Sequence, residues 1–142
     1  MSEVIILGDT ALQLKFRKLA LGITNRAPLM RRIGIKLLNE ITENFQSEKN
    51  EDVKWTPLAE TTIAQRRLMG KGAKILQDTG RLKGSFEMEY NRDRVKVGTT
   101  VVYAHFHEFG TDNIPKRPFM PAKKRALEIA IDVTERYIAE NV

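Results

Sequence analysis

The chain has 142 residues, 42% of them hydrophobic and 30% charged, with a net charge of +6 and an isoelectric point near 9.7. A chain of this length and composition is expected to form one domain, residues 1–142, with its own core. It has no cysteines, which excludes disulfides, thiolate metal sites and thiol nucleophiles. No apolar run approaches the roughly 18 residues of a membrane span, and the apolar N-terminal run lacks the basic flank of a signal peptide.

Glu3 to Leu7 reads as a short strand, because Val4, Ile5 and Ile6 are β-branched and Gly8-Asp9 ends them. Asp9 or Thr10 is placed to cap a helix on which Leu12, Phe16, Leu19, Ala20 and Ile23 recur at helical spacing. Pro28 suits the first turn of a second helix to about Gln46, with Met30, Ile33, Leu37, Ile41 and Phe45 in one stripe. Ser47 to Lys54 is polar and reads as loop. Trp55, beside Pro57 and Leu58, is expected to pin that loop to the core, with its indole N–H needing an acceptor. Ala59 to Met69 reads as a short helix broken by Gly70-Lys71-Gly72.

Ile75 to Leu82 reads as a turn. From Gly84 to Gly98 the pattern is a hairpin: Phe86, Met88 and Tyr90 alternate with Glu87 and Glu89, Asn91 to Arg94 turn, and Val95 and Val97 return. Val101 to Phe109 fits strand or helix; the reading preferred is a short helix from Tyr103. Ala122 to Glu140 reads as a final helix with Ala126, Ile129, Ala130, Val133, Tyr137 and Ile138 inward. The fold class expected is α+β, a small antiparallel sheet packed against two long helices. Val95 to Pro121 concentrates turn chemistry and aromatic bulk, with both histidines, three of the six phenylalanines and three of the five prolines. Trp55, Tyr103, Phe106, Phe109 and Phe119 are expected to be core or near-core anchors, and Arg117 is expected to pair with Glu108.

Patterns that carry chemistry are sparse. His105, His107 and Glu108 are the one metal-like cluster, but two histidines at i and i+2 diverge on a helix, and no third histidine exists. Gly70-Lys71-Gly72 lacks the spacing of a phosphate loop. Glu87 and Glu89 share the solvent face of a strand. No catalytic, cofactor or metal residues are assigned; a hydrolase using His107 and Glu108 is one rival, and a basic nucleic-acid-binding module is the other. Charge is blocked: Thr10 to Asn39 carries seven bases and no acids, Glu40 to Glu60 six acids and two bases, and Lys116 to Arg125 only bases. Both long helices put bases early and acids late, against their dipoles. The expectation drawn is a protomer with a basic and an acidic end that meet head to tail.

Several runs, taken together and in order, resemble the phage virion morphogenesis family, the Mu-type tail completion and head–tail connector proteins of tailed phages and prophages. They are Trp55 with Pro57 and Leu58; Leu76, Asp78, Thr79, Gly80, Leu82 and Ser85; Val97-Gly98-Thr99; Tyr103-Ala104 with Glu108 and Gly110; and Arg117-Pro118-Phe119. The resemblance covers the chain from about Ala27 onward; the loop from Gly110 to Pro115 is short. It implies a non-enzymatic protein of virion assembly, made in the host cytoplasm, that completes the tail and joins it to the head. The resemblance implies rings, often of six copies, docked on tail-tube and neck or connector proteins. DNA would pass through non-specifically. It implies structural or interface roles for Trp55, Pro57, Leu58, Asp78, Gly80, Tyr103, Glu108, Gly110, Arg117, Pro118 and Phe119. Beside it, Lys71 to Lys74 and Lys116 to Arg125, with Lys71, Lys74, Lys116, Lys123, Lys124 and Arg125, read as basic contact loops, and the hairpin edge as open to strand addition.

Overall fold

The computed structural model describes residues 2–3, 10–51, 53–72, 75–76, 82–101 and 103–141. The order is β1 (Ser2–Glu3), α1 (Thr10–Leu21), α2 (Ala27–Ser47), β2 (Lys49–Asn50), β3 (Val53–Lys54), α3 (Glu60–Leu68), β4 (Glu87–Tyr90), β5 (Val95–Thr99), α4 (Ala104–Phe109) and α5 (Lys123–Glu140). It is an α+β fold. β5 is the centre of an antiparallel sheet ordered β1-β5-β4, and β2 and β3 form a separate two-stranded ribbon. The predicted loop from Ser47 to Lys54 therefore contains this small ribbon, too short for alternation to reveal. Most of the first strand expected, from Val4 to Leu7, lies outside the described residues.

α2 organises the molecule. Pro28 sits in its first turn, and Glu48 ends it in the left-handed conformation, donating its N–H to the Asn44 carbonyl. Leu29, Ile33, Leu37, Ile41 and Phe45 are essentially fully buried. The helix lies across β4 and β5 on one side and against α5 on the other, while α5 also packs on α1. Gly34 permits the approach to the sheet: a Cβ there would stand 2.7 Å from Met88 Sδ and 3.0 Å from Val95 Cγ2. Gly34→Val adds two further carbons to that contact and is expected to destabilise by about 1–3 kcal/mol, the usual range for overpacking. Urea unfolding checks this, and an unchanged midpoint would mean that the helix and sheet are less close.

The reversed charge order of the two long helices is explained inside the chain. Arg32, early in α2, binds Glu140 at the end of α5, and its guanidinium lies 5.1 Å from the Tyr137 ring centre. Glu40, later in α2, accepts from Arg125 at the start of α5 at 3.0 Å. The helices run antiparallel, so each basic end faces an acidic end. Lys15 of α1 adds a pair to Glu135 at 3.4 Å. The charge blocks are thus partly satisfied within one copy. Arg125 belongs to this internal pairing, and Lys123 to Arg125 form the first turn of α5 rather than a loop.

Candidate functional site: a polar clasp behind an aromatic helix

Three of the family-like residues, Trp55, Glu108 and Arg117, meet at the segment 117–120, which is held by side chains from four places. Trp55 Nε1 donates to the Pro118 carbonyl at 2.7 Å, Asn44 Nδ2 to Phe119 at 2.8 Å, and Asn50 Nδ2 to Met120 at 2.8 Å. Glu108 Oε2 accepts the N–H groups of Phe119 at 2.8 Å and Met120 at 3.2 Å. Arg117 reaches across to the Trp55–Leu58 segment, donating from Nε to the Thr56 carbonyl at 2.8 Å and from Nη2 to that of Pro57 at 3.0 Å. Backbone polar groups that burial would otherwise strand are thereby satisfied.

Arg117 and Glu108 are consequently not partners. Each serves backbone groups, because Arg117, only 7% exposed, sits among carbonyls and Glu108 among amides. Burial lowers the Arg117 pKa, Arg66 lowers it further, and Glu48 opposes both. Trp55 and Phe119 are buried as expected, and Leu58 and Tyr103 pack against the core half-buried. Pro57 is exposed and contributes its carbonyl, while Pro118 is half-buried. Gly110, at φ +74°, lets the chain leave α4; a Cβ there would lie 3.1 Å from the Lys116 amide nitrogen. Asp78, Gly80 and Lys74 lie outside the described residues.

Phe106 and Phe109 overturn the expectation of core anchors, being 47% and 64% exposed. α4 buries Ala104 and turns Glu108 inward, which leaves the two phenylalanines and His105 outward. The His105 ring lies 4.8 Å from that of Phe109. Tyr90, expected on the covered face of the hairpin, is 44% exposed. His107 turns partly inward, 6.1 Å from the Tyr103 ring, and its Nδ1 is buried without a partner. The histidines thus diverge, and among the described residues no group of three metal-ligating side chains occurs. Lys116, Lys123 and Lys124 are exposed, and Lys71 follows the α3 turn, its N–H on the Arg66 carbonyl at 2.8 Å. Asn44 and Asn50 had not been singled out in the sequence. The available signal was an asparagine at Asn44, one turn after Ile41, on the face of α2 that is otherwise apolar.

Two clasp groups titrate in opposition. Burial, then the Arg117 charge, lowers His107 from 6.5. Burial raises Glu108 from 4.5, against the two amides and Lys116. The stability tied to neutral His107 is complete above pH 6.5 and is lost as the pH falls through its lower folded value. That tied to Glu108 runs the other way: present in full below 4.5 and lost as the pH rises through its higher folded value. On acidification from pH 7, His107→Leu is expected to flatten the decline in melting temperature, and Glu108→Gln to steepen it. Parallel melting profiles for all three proteins would show that neither group is coupled to folding.

A family model described as the phage virion morphogenesis family matches residues 7–139. The Mu-like prophage FluMu G protein 1 of Haemophilus influenzae is 31% identical over 136 residues, 93% of this chain and 92% of that protein. The FluMu G protein 2 of the same organism is 31% identical over 127 residues, covering 84% and 83%. An uncharacterized protein of Methanocaldococcus jannaschii, MJ0331, is 31% identical over 111 residues, covering 72% and 82%. No solved structure matches. With Trp55, Glu108, Arg117 and Phe119 meeting in one clasp and the match spanning nearly the whole length, the chain belongs to the phage virion morphogenesis family.

Proposed function

We propose that this protein is a non-catalytic structural component of the virion that completes the tail and joins it to the head, working as a ring of several copies around the path of the DNA. One observation carries the reading: Trp55, Glu108, Arg117 and Phe119, which mark the family, build a support for an exposed aromatic helix, not a gathering of reactive groups. Glu108 holds two backbone amides, and His107 turns toward the Tyr103 ring rather than toward a nucleophile. A ring is heterologous and needs two unlike surfaces on each copy, and α4 supplies one candidate. The relatives named as prophage proteins support the setting. Lys116, Lys123 and Lys124 are exposed bases that suit a passage for DNA, and no helix among the described residues is long and apolar enough to cross a membrane.

Electron microscopy of particles from an inducible phage or prophage that encodes this chain tests the role. With the chain deleted, separate heads and tails are expected, and resupplying it restores joined virions. Normal numbers of joined, infectious particles without it would overturn the reading. Native mass spectrometry of the protein, alone and with tail-tube subunits, tests the multi-copy state.

A further inference from the structure

Two unlike strand edges stand open in this fold. Among the described residues, no strand pairs with the outer side of β4 in the sheet β1-β5-β4, or with the outer side of β3 in the ribbon β2-β3. An open edge is a row of unpaired backbone groups that can take another strand. Both edges also carry side chains that their own sheet leaves unbalanced. In the ribbon, Lys49 stands directly opposite Lys54, and both are exposed. Like charges set opposite one another weaken a ladder, and a two-stranded ribbon is marginal to begin with. Val53, between the turn and Lys54, is 64% exposed. On β4, Glu87 and Glu89 share one face and are exposed, while Tyr90 at its end is partly uncovered.

Laid antiparallel with Val53 opposite Tyr90, the two edges complement each other. Val53 meets the Tyr90 ring, a favoured cross-strand pair, and Lys54 meets Glu89. Lys49 follows one strand further on the same face as Lys54, and continuing the register brings Glu51 toward Arg92. The faces agree as well. Tyr90 and Met88 lie on the side of the sheet that α2 covers, where Met88 approaches Gly34. Val53 shares a face with Asn50, which reaches the Met120 carbonyl of its own clasp. Both protein bodies therefore lie on one side of the joined sheet, and the lysines and glutamates lie together on the other. Pairing β4 with itself about Met88 or Glu89 would instead set glutamate against glutamate. Within one copy the two edges belong to separate sheets, so their union takes a second copy.

We propose that β3 of one copy adds antiparallel to the open edge of β4 in a second copy, with Val53 opposite Tyr90 and Lys54 opposite Glu89. The proposal rests on the multi-copy assembly proposed above and names its contact. The two edges differ, so the contact is head to tail, and its repetition yields a ring when the rotation closes.

The absence of cysteine from the chain makes a disulfide test clean. Directly opposite side chains come close enough for a disulfide. Val53→Cys and Tyr90→Cys copies, mixed and oxidised, are expected to give a dimer joining one of each. Glu87→Cys, three residues away on the other face of β4, is expected to give none with Val53→Cys. Charge reversal tests the second pair. In analytical ultracentrifugation at low salt, Lys54→Glu and Glu89→Lys are each expected to weaken association about fivefold or more, and a chain carrying both recovers it. All four side chains are exposed, so circular dichroism stays unchanged throughout. Dimers joining only like variants, equal trapping by Glu87→Cys, or wild-type association in both charge variants would overturn this contact and leave the structural role standing. So would a double variant that associates no better than the single ones. A wild type that stays monomeric at all concentrations and with tail-tube subunits would overturn the contact and the multi-copy reading together.

Discussion

Replacing Glu108 by alanine is expected to lower stability by about 2–6 kcal/mol, whereas glutamine costs about 1 kcal/mol or less. One carboxylate oxygen accepts from both the Phe119 and the Met120 amide. Phe119 is fully buried and Met120 is 9% exposed. Alanine leaves two such amides without that acceptor, and each stranded polar group costs about 1–3 kcal/mol. Glutamine keeps a carbonyl oxygen in place and removes a charge that burial already disfavours. The effect reaches beyond stability, because the same oxygen ties α4 to the segment before α5. Losing it loosens the base on which Phe106 and Phe109 stand. Urea unfolding compares the two variants; equal destabilisation by alanine and glutamine would mean that the charge, and not the acceptor, holds the clasp.

Phe119→Ala is expected to cost about 3–5 kcal/mol, the range for truncating a buried phenylalanine. Its ring is fully buried. It lies 5.7 Å from Phe45 in a stacked arrangement and 5.3 Å from Phe86 nearly edge-on. Phe45 in turn meets Trp55 edge-on at 5.4 Å. The cavity left would open between α2, the start of the hairpin and the clasp. Since Trp55 is the only tryptophan, its fluorescence reports on this cluster directly. A red shift of the folded-state emission is expected along with the lower unfolding midpoint. A loss under 1 kcal/mol with unchanged emission would show that the ring cluster contributes little.

How much of this was legible in the sequence depended on range. A stripe at helical spacing placed the second helix at Pro28 to Gln46, and α2 runs Ala27–Ser47. Alternation found the hairpin, and the turn at Asn91 was plain from its composition. These features are set by neighbours within a few residues, which is what periodicity measures. Trp55 was expected to need an acceptor and found one on Pro118, although nothing local named that acceptor. The stretch from Val101 to Phe109 was ambiguous for the same reason: short apolar runs fit either period.

What remained hidden was every choice of partner across the chain. Arg117 and Glu108 look like an ion pair when read nine residues apart, yet each binds backbone, because the fold brings carbonyls to one and amides to the other. Phe106 and Phe109 look like core, yet Ala104 and Glu108 hold the inner side of α4. The charge order of the long helices looks costly one helix at a time and is compensated once α2 and α5 lie antiparallel. The sequence alone determined the long helices, the hairpin, the fold class and the family, since these rest on local spacing and ordered motifs. Tertiary structure alone decided which buried polar groups satisfy one another and which aromatic rings face water, because those outcomes depend on segments far apart in the chain.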